Sequence, residues 1–184
     1  MDKIKNLINS CNKCGNKEKL SFPAMQIGKT NFIIIGESPA KDGWIKSKRA
    51  FYNTEGNLQA TGRVLERLLN GIGLTIKDIY FTECCKCIIE DRNALNSCSK
   101  NCKPILLEQL KHIPCNTIVT LGLHPTEILL DKKINKISDY VGKTFNIILN
   151  NKNYKLIPIY HPSPLNPKGY SGNIETFKNI IKNC

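Results

Sequence analysis

Apolar residues are not spread evenly along this chain. They gather in short dense runs, and between the runs they recur at helical spacing. The run "NFIIIGESPA" has consecutive rather than alternating apolar positions, which predicts a buried strand stopped by Gly36 and Pro39. "DIYFTECC" and "NTIVTLG" have the same character, and "KTFNIILNNKNYKLIPIYHPSP" predicts a hairpin turning at Asn150–Asn153, its second strand ending at His161. The intervening segments read as helices. An early one (Ile4–Asn9) runs into "CNKC", and "LQATGRVLERLLNGIG" is closed by Gly71 and Gly73. "CSKNCKPILLEQLKHI" reads as a loop entering a helix with Pro104 near its first turn, and "HPTEILLDKK" as a short helix with Pro125 early in it. "IETFKNIIKN" closes the chain as an amphipathic helix, and a polar loop, "KDGWIKSKRAFYNTEGN", follows the first strand.

Short apolar strands alternating with helices predict an α/β fold of three layers, α/β/α, around a central, mainly parallel four-stranded sheet. No internal repeat or linker divides the chain, so a single domain over residues 1–184 is expected. Ligands of such sheets bind beyond the carboxyl ends of the strands. Glu37, Glu83 and His161 all fall at strand ends, which makes them the first candidates for a site.

Charge narrows the partner. Lys and Arg number 27 against 15 Asp and Glu, a net charge of +12, with the lysines scattered from Lys3 to Lys182. A surface of this sign suits a polyanion, nucleic acid first, although a Lys- and Asn-rich composition alone gives a solvated basic surface. The opening "MDKIKNLINS" has no long apolar run, and no segment approaches the ~20 apolar residues of a membrane span, so a soluble cytoplasmic protein with no membrane partner is expected. Stable disulfides are uncommon in that compartment. Nine cysteines then point to a metal site.

Cys11 and Cys14 form C-x2-C, a spacing that lets two thiolates reach one metal or cluster. Further ligands must come from Cys84, Cys85, Cys87, Cys98, Cys102, Cys115 and Cys184. Cys87 leaves the second strand and Cys102 sits before a helix, so the 14 residues between them form a loop able to close both on the N-terminal pair. Zinc, an iron–sulfur cluster and free buried thiols all remain open on these grounds. Strand alternation turns Cys84 to the core, and Cys115 and Cys184 read as bystanders.

In order along the chain, "IIIGESPA", "RAFYNTEGNLQATGRVLERLLNGIGL", "IYFTECCKC", "NCKPILLEQL", "IVTLG" and "LIPIYHPSPL" resemble the iron–sulfur uracil-DNA glycosylases of the family 4 type. The likeness runs from Cys11 to the last helix. Its motifs are Gly-Glu-x-Pro after the first strand and His-Pro-Ser after the last, ordered around a cysteine quartet. The resemblance implies a 4Fe–4S cluster held by Cys11, Cys14, Cys87 and Cys102, serving as a buttress for the N-terminal segment. Cys102 is preferred to Cys98 because "NCKPILLEQL" matches the family's helix entry.

The activity it implies is hydrolysis of the N-glycosidic bond of uracil, or a related deaminated base, in base excision repair. A damaged base must leave the duplex stack for a pocket before its bond to the sugar is cut. Cleavage leaves positive charge on the sugar and negative charge on the base. Glu37 fits as the carboxylate beside the sugar, and His161 as the donor to the departing base. The resemblance also implies that Phe51 stacks on the base and that Gly36 and Ser38 offer backbone contacts. Ser163 would contact phosphate, and Leu165 would wedge into the vacated stack. Trp44 either covers the pocket or packs in the core, and His112 and His124 read as structural. A monomer without lyase activity, acting on DNA with a damaged base, is expected. The alternatives are a glycosylase for another base, such as hypoxanthine, and a non-catalytic nucleic-acid-binding protein. The chain departs from the family pattern at Ala40, where Gly is usual, and in its "KDGW" continuation. Glu83 is a further departure. It stands where the family has an Asn that reads the base, so it is expected to set base specificity.

Overall fold

The computed structural model describes residues 1–15 and 18–182, apart from the side chain of Ile181. In chain order the helices are α1 (Asp2–Asn9), α2 (Trp44–Ser47), α3 (Ala60–Asn70), α4 (Leu95–Lys111), α5 (Leu123–Leu130) and α6 (Ile174–Lys182). The strands are β1 (Met25–Gln26), β2 (Phe32–Gly36), β3 (Tyr80–Glu83), β4 (Thr117–Leu121), β5 (Phe145–Leu149) and β6 (Lys152–Ile159). They form one sheet in the order β1-β3-β2-β4-β6-β5. The four inner strands are parallel, and β1 and β5 add antiparallel edges. The sheet is thus six-stranded rather than four-stranded. β1 is too short to leave a periodic signal, and β5 is the first arm of the expected hairpin.

Alternation along β2 explains the layers. Phe32 and Ile34 face a core shared with Leu65, Leu68 and Leu69 of α3 and with Phe177 of α6. Ile33 and Ile35 face the opposite core, with Leu106 and Leu110 of α4 and Leu129 of α5. All four strand residues are 0 % exposed. At about 1.5–3 kcal/mol for each such side chain, β2 is a rigid base for the loop that follows it.

Two local readings change. α4 starts nine residues before Pro104 and carries it in its interior, so Cys102 lies within a helix and not ahead of one. The start is set by Asp91, whose side chain accepts from Asn93 N at 2.9 Å and opens a 3-10 turn leading into α4. Leu95, Cys98, Ser99, Cys102, Ile105, Leu106, Gln109 and Leu110 are its buried stripe, so the cysteines continue the helical period as apolar positions. The hairpin turns at Asn150 and Asn151, both with positive φ (50° and 61°), which is the geometry a two-residue turn requires and Asn tolerates.

Candidate active site and cysteine cluster

Beyond the carboxyl ends of β2, β3 and β6 lies a cavity of about 350 Å³. Gly36, Glu37, Ser38, Phe51, Glu83 and His161 all line it, with Trp44, Phe81 and Leu121. The fold therefore gathers the base-site residues expected from the sequence out of four separated segments. Trp44 is half-buried in the wall, its ring 5.5 Å from that of Phe81.

The sheet register explains the floor. Gly36 on β2 is the parallel partner of Glu83 on β3. The Glu83 carboxyl lies over Gly36, where any Cβ would collide with its Oε2 and come within 3.1 Å of Phe81 Cζ. Glu83 is buried, and its Oε2 has no hydrogen-bond partner. Burial pushes its pKa up to about 8, with Lys86 opposing the rise and Glu37 adding to it. The Lys86 ammonium does not pair with this carboxyl. It donates to Thr82 Oγ1 at 2.8 Å and to the backbone carbonyl of Glu83. Glu83 is thus a carboxylic acid at neutral pH, with both donor and acceptor capacity.

Phe51 has φ +68°, a strained conformation for a bulky residue that persists only where packing imposes it. Its ring packs 4.2 Å from Phe81, and Gly62 of α3 makes room: a Cβ there would stand 2.9 Å from Phe51 Cβ. His161 is held from the other side. Gly122, at φ +85°, turns the chain from β4 into α5 at a point where a side chain would press on His161 Cβ at 3.1 Å. The residue is exposed, yet its ring is enclosed enough that desolvation lowers its pKa below 6.5, against the upward pull of Glu37. The imidazole is therefore neutral at pH 7. Ser163 and Leu165 lie outside the cavity, on the turn after His161. Ser163 N donates to His161 O at 2.8 Å, Leu165 N donates to Ser163 Oγ at 3.3 Å, and Leu165 is 95 % exposed.

One neighbour of Glu37 escapes sequence reasoning. Arg92, in the 3-10 turn before α4, binds both oxygens of the Glu37 carboxylate, through Nη1 to Oε1 and through Nη2 to Oε2 at 3.1 Å. A lone Arg in an irregular loop carries no periodic signal. His124, read as structural, is buried at the start of α5 and shares a hydrogen bond with Ser99 Oγ at 2.7 Å. Ser99 in turn lies 3.0 Å from Cys85 Sγ. His112, by contrast, lies 4.0 Å from Glu108, at the far end of α4.

The N-terminal segment is pinned next to the end of β3. Leu20 N donates to Lys86 O at 2.7 Å, and Lys19 Nζ donates to the carbonyls of Ile8, Asn9 and Cys11 at the end of α1. Cys11, Cys14, Cys98 and Cys102 lie close enough to Cys87 for their charges to act on its thiol. Burial, before the neighbouring thiols, pushes Cys87 up to about 12 and Cys98 to about 11. N–H groups reach sulfur in this cluster: Lys86 N donates to Cys102 and Asn101 Nδ2 to Cys14, each at 3.4 Å. Among the described residues, no three Cys, His, Asp or Glu side chains converge as ligands of a single metal ion. Cys84 and Cys115 are buried in the core beneath the sheet, while Cys184 lies outside the described residues. Among the described residues no helix is long and apolar enough to cross a membrane.

The family described as the uracil DNA glycosylase superfamily matches residues 22–183. A type-4 uracil-DNA glycosylase from Archaeoglobus fulgidus is 31% identical over 169 residues, covering 89% of this chain and 81% of that protein. One from Pyrobaculum aerophilum is 25% identical over 169 residues, covering 89% and 83%.

Proposed function

This chain belongs to the uracil DNA glycosylase superfamily, and from that premise we propose that it hydrolyses the N-glycosidic bond of uracil, or of a related deaminated base, in DNA. The observation that carries the reading is the strand-end cavity into which Glu37, Phe51, Glu83 and His161 converge. An unbroken sheet covered on both faces supports treating the whole chain as one domain.

The residues divide the work. A base that has left the stack lies against Phe51, whose face accepts any π system. Its hydrogen-bonding edge meets Glu83. As the bond from C1′ to the base nitrogen breaks, its electron pair goes to the base, and His161 donates a hydrogen bond to the anion that forms. Glu37 stabilises the cationic sugar and orients the water whose oxygen joins C1′, and the proton that this water loses ends on the base anion. Free base and an abasic sugar are the products. Ser163 contacts phosphate, and the exposed Leu165 fills the gap in the stack.

Cys11, Cys14, Cys87 and Cys102 are proposed to hold a 4Fe–4S cluster, which supplies no step of this reaction and fastens the N-terminal segment to the sheet. The donor set fits. Thiolates of a cluster each take a different iron, so they need not meet at one point as zinc ligands do, and N–H···S hydrogen bonds are a usual feature of such sites. Replacing Cys102 by Ser is expected to lower iron content and thermal stability together, and Cys115→Ser to leave iron unchanged. Iron and inorganic sulfide analysis of anaerobically purified protein checks both, and stoichiometric zinc without iron would refute the assignment.

The experiment that tests the function is single-turnover base release from duplexes carrying uracil, hypoxanthine or xanthine. Release of uracil or another deaminated base is expected. Tight duplex binding with no release of any base would instead favour a non-catalytic DNA-binding protein.

A further inference from the structure

Arg92 forks onto both oxygens of Glu37, although its side chain is 65% exposed against 25% for Glu37. An ion pair this open to water contributes only about 0–1 kcal/mol to stability, so the fold gains little from it. The geometry is nevertheless well supported. Asp91 braces the turn that carries Arg92, through Asn93 N at 2.9 Å and Ala94 N at 3.0 Å, and that turn continues directly into α4. A second pair, Lys41 with Glu90 at 3.8 Å, joins the same two loops. The loop after β2, which carries Glu37, is thus tied twice to the loop after β3.

A guanidinium has five N–H groups. Glu37 takes one from each terminal nitrogen of Arg92, which leaves three. The exposed side of the group can therefore accept a second anion without releasing the first. We propose that Arg92 is a positioning residue that fixes the Glu37 carboxylate in the pocket while its remaining N–H groups bind a phosphate of the DNA. The inference rests on the glycosylase reading for its chemical arm and on the exposed guanidinium for its DNA arm. A seated backbone would then lock the carboxylate in place, so that ordering of Glu37 accompanies docking of substrate.

The test compares wild type with Arg92→Ala, Arg92→Lys, Glu37→Gln and the Glu37→Gln/Arg92→Ala double variant. It measures single-turnover base release, and duplex affinity across a salt series. Arg92→Ala should slow release by up to about a hundredfold, the cost of a roughly 1 Å misplacement of a catalytic group. Adding it to Glu37→Gln should cost little more, because Arg92 acts through that carboxylate. In both backgrounds the slope of log affinity against log salt should shrink by about 0.9, the loss of one phosphate contact. Arg92→Lys keeps the charge but not the fork, so it should restore the slope and leave the rate low. Rate losses that multiply in the double variant, or a slope unchanged by Arg92→Ala, overturn the proposal. If wild type releases no base from any duplex, the glycosylase reading falls, and the salt slope alone still upholds or refutes the phosphate contact.

Discussion

His161→Ala is expected to slow base release in single turnover by about 10²–10³ while leaving duplex affinity nearly unchanged. The split follows from the chemistry. A hydrogen bond from His161 to the base is weak while the base is neutral, and strengthens as the electron pair of the breaking bond arrives. Its removal therefore raises the barrier more than it weakens the complex. His161 is suited to this because desolvation lowers its pKa, so at pH 7 it donates as a neutral imidazole. Glu37→Gln should share the pattern, since it keeps the size of the side chain and removes the negative charge facing the sugar. Rates like wild type in both variants would remove the two residues from the mechanism.

The second large effect concerns Glu83, and it has two readouts. The first is stability. An exposed carboxyl titrates near 4.5, whereas buried Glu83 titrates at about 8. Below 4.5 both folded and unfolded chains hold the proton and burial carries no electrostatic penalty. Between 4.5 and 8 the unfolded chain ionises while the folded chain keeps its proton, so this group makes stability fall as pH rises. Above 8 the loss is complete, at most about 5 kcal/mol and less once water relaxes around the site. Glu83→Gln removes the titration, and should gain on wild type steadily from pH 5 to pH 8 in denaturant unfolding.

The second readout is base choice. A protonated Glu83 offers one donor and one acceptor, matching a carbonyl beside a ring N–H, as in uracil and hypoxanthine. Ionised, it offers only acceptors and faces the carbonyl oxygen with like charge. Release of such bases should therefore fall roughly ten- to hundredfold as pH rises through 8, the effect of one unpaired buried polar group. Glu83→Asn should flatten the profile. The charged groups around the carboxyl are Glu37 at the end of β2 and Lys86 after β3, so the apparent midpoint belongs to the set. Identical base preference and pH profiles in wild type and Glu83→Asn would leave Glu83 without a role in recognition.

What the sequence disclosed follows from how each feature is encoded. Continuous apolar runs mark three of the four inner strands and the hairpin pattern marks the fourth, and a residue at a strand end has its position fixed by the sheet. That is why Glu37, Glu83 and His161 could be grouped before any contact was known, and why they line one cavity. Arg92 could not be found in this way, because its pairing with Glu37 bridges 55 positions between two loops of no regular period. The start of α4 is hidden for a different reason. Cys98 and Cys102 carry its apolar stripe before Pro104, and Pro104 occupies a helix interior rather than its commonest position near the first turn. Beside Cys11, Cys14, Cys87 and Cys102 lies Cys98, one helical turn before Cys102 on the same face of α4.

The parallel register of Gly36 with Glu83 also constrains how this pocket can diverge. The carboxyl occupies the volume a side chain at position 36 would need, so a larger residue there would displace the Glu83 carboxyl from the pocket floor. A side chain at position 36 needs either a shorter residue at position 83 or a Glu83 carboxyl swung aside. Without either change, the two groups would collide at the strand ends, on the floor of the pocket. A shorter residue at position 83 opens that space without displacing anything, so the size of residue 83 sets how much room the pocket floor has above Gly36.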